Sequence, residues 1–168
     1  MRKLICFLLA GLLALSMTGC TNGSTDSEVP FYYPRAEFDH GTPDGVMATE
    51  IREVSGHDQE LRYLMALYLQ GPTDPELRIP FPDGTVLVEL LQEDGTVTVT
   101  LSSGITRLED IDLTVACACL AETCFANSDA QQVNIQSLVS TNGLSVDVTF
   151  TRGNLLLPGY EILPEVTE

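Results

Sequence analysis

The sequence predicts an α+β domain, two helices packed on a small mixed or antiparallel sheet. Three observations predict it. Leu61, Leu64, Met65 and Tyr68 fall at i, i+3, i+4 and i+7, one apolar stripe on a helix that Gly71-Pro72 stops. Val86–Leu91 and Thr96–Ser102 read as strands joined by Asp94-Gly95, a pair whose residues both accept positive φ. A second, almost wholly apolar helical stretch follows, and then two further strand patterns. Asp58 to Ser102 is therefore the segment on which the remainder is expected to pack.

Taken in order, the chain opens with Met1-Arg2-Lys3 and an apolar run, Leu4–Leu15, too short to span a hydrocarbon core of ~30 Å as a permanent helix. The run ends at Leu15-Ser-Met-Thr-Gly-Cys20, which resembles the lipobox of bacterial lipoproteins. By that resemblance residues 1–19 are a lipoprotein signal peptide, and Cys20 becomes the first mature residue and carries the lipid. An ordinary signal peptide with a chance cysteine is the alternative. Several acyl chains on one residue anchor stably, because burial stabilises by ~0.8 kcal/mol per CH₂. The expected location is the outer face of the cytoplasmic membrane; residue 21 is Thr, so an Asp-type retention signal is missing. Residues 20–28 are small and polar and are expected to be a flexible tether.

The domain is expected to span 29–157. Val29–Pro34 reads as a strand with proline at both ends, and Asp39–Gly45 as a loop. Val46–Val54 is a second strand, with Val46, Ala48, Ile51 and Val54 as its inward set. Asp58 is the expected N-cap of the first helix. Pro82-Asp-Gly-Thr85 turns the chain into the hairpin. Thr106-Arg-Leu-Glu109 has the spacing of a capping box. The helix it opens carries Leu113, Ala116, Cys117, Leu120 and Cys124 on one side and Ile111, Val115, Ala118 and Cys119 nearly opposite. A helix apolar on both sides is either central to the core or covered by a partner; the second stripe is thus a candidate interface. Gln131–Val139, with Val133 and Ile135 inward, and Leu144–Phe150, with Leu144, Val146, Val148 and Phe150 inward, read as strands joined by Thr141-Asn-Gly143. Residues 158–168 form an acidic tail.

An apolar fraction of 44% in 168 residues is ample for one core. With Arg2 and Lys3 removed, six basic residues face 24 acidic ones, about −18. All six are arginines. Such a chain repels phosphate backbones and anionic headgroups, which excludes nucleic acid as a partner and makes a covalent anchor necessary for a membrane location. The charge also suits plain solubility, a cationic partner or divalent ions.

Candidate chemistry is sparse. Cys117 and Cys124 would lie about 10 Å apart along a helix axis, beyond the ~7 Å reach of a disulfide, and Cys117 and Cys119 point to different faces. Buried thiols are expected, rather than a metal site or an intermolecular disulfide, which in an exported protein suggests a weakly oxidising niche. His40 and His57 stand in a loop and near a helix start, with no triad to join. The acids Asp83, Glu93-Asp94 and Glu109-Asp110-x-Asp112 mark turns and a helix start, and no calcium loop occurs. No catalytic residue, cofactor or metal is expected.

Leu69-Gln-Gly-Pro72, Pro82-Asp-Gly-Thr85 and Val97-Thr-Val-Thr-Leu-Ser102 resemble, in this order, the signature elements of GerMN domains, the sporulation and spore germination domain. Tyr32-Tyr33 and Arg52 match its opening strand and following arginine, and the resemblance runs from about 30 to 150. It implies a fold similar to ring-building motifs, with Leu69, Gly71, Pro72, Pro82, Gly84, Thr85, Leu101 and Ser102 as structural positions. It further implies a non-enzymatic, lipid-anchored binding or assembly module with protein partners in a cell-envelope or spore assembly, self-association included. A small-ligand or peptidoglycan-binding envelope lipoprotein is the alternative. An apolar groove rimmed by Arg52, Arg62, Arg78 or Arg107 would favour ligand binding; an exposed apolar face on the second helix would favour assembly.

Overall fold

The computed structural model describes residues 26–37, 45–57 and 60–154. The signal segment, Cys20, His40, Asp58 and the tail from 155 lie outside them. The elements are β1 (Asp26–Pro34), β2 (Met47–Ser55), α1 (Leu61–Tyr68), β3 (Leu87–Glu93), β4 (Thr96–Leu101), a 3₁₀ turn (Ser103–Arg107), α2 (Asp110–Ala126), β5 (Gln132–Ser137) and β6 (Asp147–Thr151).

The strands form two sheets. β1 and β2 make an antiparallel ribbon, and the other four lie in the order β3-β4-β5-β6. β4 and β5 are parallel, from Thr96 beside Gln132 to Leu101 beside Ser137, because α2 carries the chain back across the sheet between them. The pairs β3–β4 and β5–β6 are antiparallel. α2 contacts β5 and β6 on one side and β1 on the other, and α1 contacts β3 while Tyr68 stacks on Tyr33 of β1 at 4.7 Å between centroids. The helices are thus a middle layer between a four-stranded and a two-stranded sheet. β1 starts inside the expected tether: Asp26, Ser27 and Glu28 pair with Ser55, Val54 and Glu53.

The core follows from alternation. Val97, Val99 and Leu101 of β4, Val133 and Ile135 of β5 and Phe150 of β6 point inward, while Thr96, Thr98 and Thr100 face out. The whole expected stripe of α1, Leu61, Leu64, Met65 and Tyr68, is buried. At the β3–β4 turn Asp94 and Gly95 both take positive φ, 49° and 75°, which matches the twist of the strands they join.

Four expectations are corrected. The capping box does not form: the Thr106 hydroxyl donates to Ser103 O at 2.8 Å inside the 3₁₀ turn, and α2 begins after Glu109 without a side-chain cap. The join after β4 is short, and the 3₁₀ turn is what delivers Ile105 into the core, fully buried. In β2 the inward face is Ala48, Glu50, Arg52 and Val54, so Ile51 points to solvent. Leu144 is likewise exposed, since β6 starts only at Asp147. Finally, the second stripe of α2 is not a free interface: α2 packs on β1 as well as on β5 and β6, Val115, Ala118 and Cys119 are buried, and only Ile111 of the stripe is exposed.

Candidate functional site

Two of the elements that resemble a family signature are turns, and each is held by an arginine. Gly71 has φ +89°, and a Cβ there would lie 2.6 Å from Ile79 Cγ1, so glycine is required on both counts. Its carbonyl accepts from Arg52 Nη2 at 2.6 Å. Arg52 also donates through Nη2 to Tyr33 Oη at 3.1 Å and through Nε to Glu50, and its guanidinium lies 4.9 Å from the Phe31 ring centroid. The second Glu50 oxygen accepts the backbone amides of Thr73 at 2.8 Å and Asp74 at 3.0 Å. Tyr33 Oη in turn donates to Tyr68 O at 2.9 Å. One ion pair therefore fastens β2 to β1, to the end of α1 and to both sides of Pro72.

Burial alone would raise the Glu50 carboxyl, but the Asp74 amide, Arg52 and the Thr73 amide outweigh it and hold it below the ordinary glutamate value. Burial pushes the Tyr33 hydroxyl well up, so it stays protonated and can both donate and accept here. Glu50 escaped sequence reasoning. Its signal was an acid and a base at i and i+2 on a strand face otherwise carrying Ala48 and Val54.

The second turn is built the same way. Thr85 donates its amide and its hydroxyl to Pro82 O at 3.1 and 2.7 Å, and Arg107 Nη2 donates to Asp83 O at 2.8 Å. Ser102 is joined to the strand entry, its amide donating to Val86 O at 2.9 Å and its hydroxyl accepting Val86 N at 3.1 Å. Leu101 is fully buried.

Between the two turns lies an open groove of about 350 Å³, lined by Ala66, Leu69, Gln70, Thr85, Val86 and Leu87. Its walls are mainly apolar, with Val86 55% exposed and Val88 41% exposed on the strand beside it. Somewhat larger clefts, about 390 and 370 Å³, meet around Asn127, Ser128 and Asp129 and have mainly polar walls. The groove is where Leu69 of one signature turn meets Thr85 of the other.

Three of the four arginines expected at a groove rim are engaged elsewhere, and Arg62 is exposed on α1, one turn before Ala66 of the groove wall. Arg52 and Arg107 are bound to backbone, Arg78 pairs with Asp112 at 2.7 Å, and Arg152 holds Phe125 O, Ser128 O and Ala130 O near the end of α2. Cys117, Cys119 and Cys124 are buried and form no disulfide among the described residues, and burial pushes each thiol up to about 12. Cys124 contacts Met65 sulfur at 3.5 Å. His57 Nδ1 lies 3.1 Å from Glu60 Oε1 at the entry to α1. Among the described residues no three acids, histidines or cysteines converge as a metal site.

A model of the family Germane, described as sporulation and spore germination, matches residues 30–141. Among solved structures, the tandem GerMN domains of the sporulation protein GerM from Bacillus subtilis match with a TM-score of 0.54 at 14% identity, covering 77% of this chain and 45% of that chain. The present chain thus spans less than half the length of that protein's structure. A candidate lipoprotein from Clostridium perfringens matches with a TM-score of 0.46 at 19% identity, covering 76% of this chain and 88% of that one. No curated protein matches. The α+β arrangement of two helices with a mixed four-stranded sheet and an antiparallel ribbon is the fold shared with the GerMN domains.

Proposed function

The chain belongs to the Germane family of sporulation and spore germination domains, and on that premise we propose that it is a lipid-anchored extracytoplasmic module that binds protein partners in a sporulation or germination assembly. The observation that carries the reading is what the signature residues do. Gly71, Pro82, Gly84 and Thr85 form turns, Leu101 fills the core, and the arginines beside the turns hold backbone carbonyls. They rigidify a surface, and the reading gives none of them a bond to make or break. The lipobox-like Cys20 supports the anchor, and the strongly negative charge argues against attachment through anionic headgroups alone.

Loss of the chain in its own host is expected to lower spore yield or germination. Cys20→Ala is expected to move the protein from the membrane fraction to the soluble one and to abolish acyl labelling. Spores that form and germinate normally without the chain would overturn the assignment. The alternative, capture of a small envelope ligand, draws on one observation, the size of the groove, which is at the lower end of ligand pockets at ~300–1,000 Å³. Its openness to solvent favours a protein segment instead.

A further inference from the structure

We propose that the groove and the free edge of β3 together form a strand-addition site for an extended, basic–apolar segment of a partner protein. The inference rests on the binding-module reading and names the class of partner.

β3 is the terminal strand of its sheet, so one row of its backbone groups faces no strand among the described residues. The two-residue turn at Asp94-Gly95 makes Glu93 and Thr96 the hydrogen-bonded closing pair. Alternation from there aims the amides and carbonyls of Leu90 and Gln92 away from β4. The other edges are different. β1 is closed against α2 by side-chain hydrogen bonds. At β6 the chain turns back on itself, with Asn154 bridged to Thr151. β2 also ends its sheet, but none of the clefts named above is lined by it.

The side chains around β3 specify the partner. A strand laid along it would point alternate residues toward the groove, whose walls are Ala66, Leu69, Val86 and Leu87, and these must be apolar. The intervening residues would lie on the outer face beside Glu89, Leu91 and Glu93. Glu89 and Glu93 make no ion pair among the described residues, so cationic residues fit there. The same two glutamates oppose pairing of β3 with a second copy of itself, because like charges would face each other. Main-chain bonds would give affinity and the groove specificity, as in other strand-addition sites.

The test uses the full acylated chain in nanodiscs and a synthetic seven-residue peptide alternating valine and lysine. Controls are the same peptide methylated on alternate backbone nitrogens and a valine–glutamate peptide. Saturable binding is expected for the first peptide only, with hydrogen exchange across 87–93 slowed at least about tenfold, as strand pairing requires. Val88→Lys should abolish binding while keeping the wild-type thermal midpoint. The pair Glu89→Lys and Glu93→Lys should transfer the preference to the valine–glutamate peptide. Equal binding of the methylated peptide, protection elsewhere, or no protection would overturn the site. So would slowing of 87–93 that rises with protein concentration alone, which would identify a second copy as the occupant. A chain that binds the peptide at β3 but is dispensable for spores retains the site and loses the proposed function; a chain needed for spores but blind to the peptide does the reverse.

Discussion

The outer strands β1 and β3 lie in different sheets, and the contrast between them is instructive. Over the second half of β1 the residues whose backbone points away from β2 are Pro30, Tyr32 and Pro34. Two of them have no amide to satisfy. The third donates to Thr123 Oγ1 of α2 at 2.9 Å. The carbonyls of Pro30 and Pro34 accept from Asn127 Nδ2 at 2.8 Å and from Arg78 N at 2.9 Å. From Pro30 to Pro34, β1 is therefore finished without another strand. β3 has no proline, and its only irregularity is a register shift between Leu87 and Glu89. Its exposed glutamates discourage pairing with itself while leaving the backbone row accessible. One edge is sealed by local chemistry and the other is only guarded, so the open one is where a partner can add.

The largest test of the sealed side is Arg52→Ala. It would leave Glu50 buried without its cation and the Gly71 carbonyl and Tyr33 hydroxyl short of a donor. Breaking such a pair from one side costs about 3–5 kcal/mol, far more than the pair contributes against an apolar replacement. Urea unfolding would read the loss; a change below about 1 kcal/mol would mean the clasp is decorative. The same network sets a pH dependence. Because the native Glu50 carboxyl titrates below its ordinary value, its contribution is full above the unfolded value, near 4.3, and is lost as pH falls through the native one. Glu50→Gln should flatten the acid limb of the stability profile below about pH 4.3 and leave its shape near neutrality unchanged.

Next in size is Thr123→Val, which keeps the volume and removes the acceptor of Tyr32 N. Thr123 is fully buried and also donates to Cys119 O at 2.9 Å. The orphaned amide should cost about 1–3 kcal/mol. If unfolding shows no loss, the edge of β1 is not sealed by this bond and the contrast with β3 weakens.

What could be read from the sequence divides along the same line. The stripe of α1, the turn at Asp94-Gly95 and the glycine at 71 depend on neighbours within a few residues, and the structure has all three. The division into two sheets depends on pairings that local periodicity does not encode. Glu50 finds its amides at Thr73 and Asp74, more than twenty residues away, so alternation alone took Ile51 inward and passed over the acid. Thr106 had the right spacing for a cap, but burial of Ile105 governed the backbone and placed it in a 3₁₀ turn. The groove combines α1 with the entry to β3, and the sequence named its signature residues without bringing them together.

The sealed side also has a flaw. The Tyr68 hydroxyl is fully buried and has no hydrogen-bond partner among the described residues, although its ring stacks on Tyr33. Burial drives its hydroxyl far above the ordinary tyrosine value, and Cys119, Tyr33, Cys124 and Cys117 add to it. Tyr68→Phe keeps the ring and removes the unpaired group, so it should stabilise by about 1 kcal/mol. Loss of stability would instead assign that oxygen a partner.

The smallest expected effect is on the guarded edge. Glu89→Gln and Glu93→Gln replace exposed carboxylates that form no ion pair among the described residues, and surface changes of this kind usually stay within about ±0.5 kcal/mol. Near-neutral unfolding should therefore accompany a clear change in behaviour. With the like charges gone, self-association through β3 loses its electrostatic opposition, and sedimentation of the double variant should show dimers at concentrations where the parent is monomeric. The dimer should be suppressed by Val88→Lys and insensitive to Thr123→Val. Dimers that ignore β3, or a double variant as monomeric as its parent, would show that the glutamates are not what guards this edge, and the difference between the two strands would then rest on β1 alone.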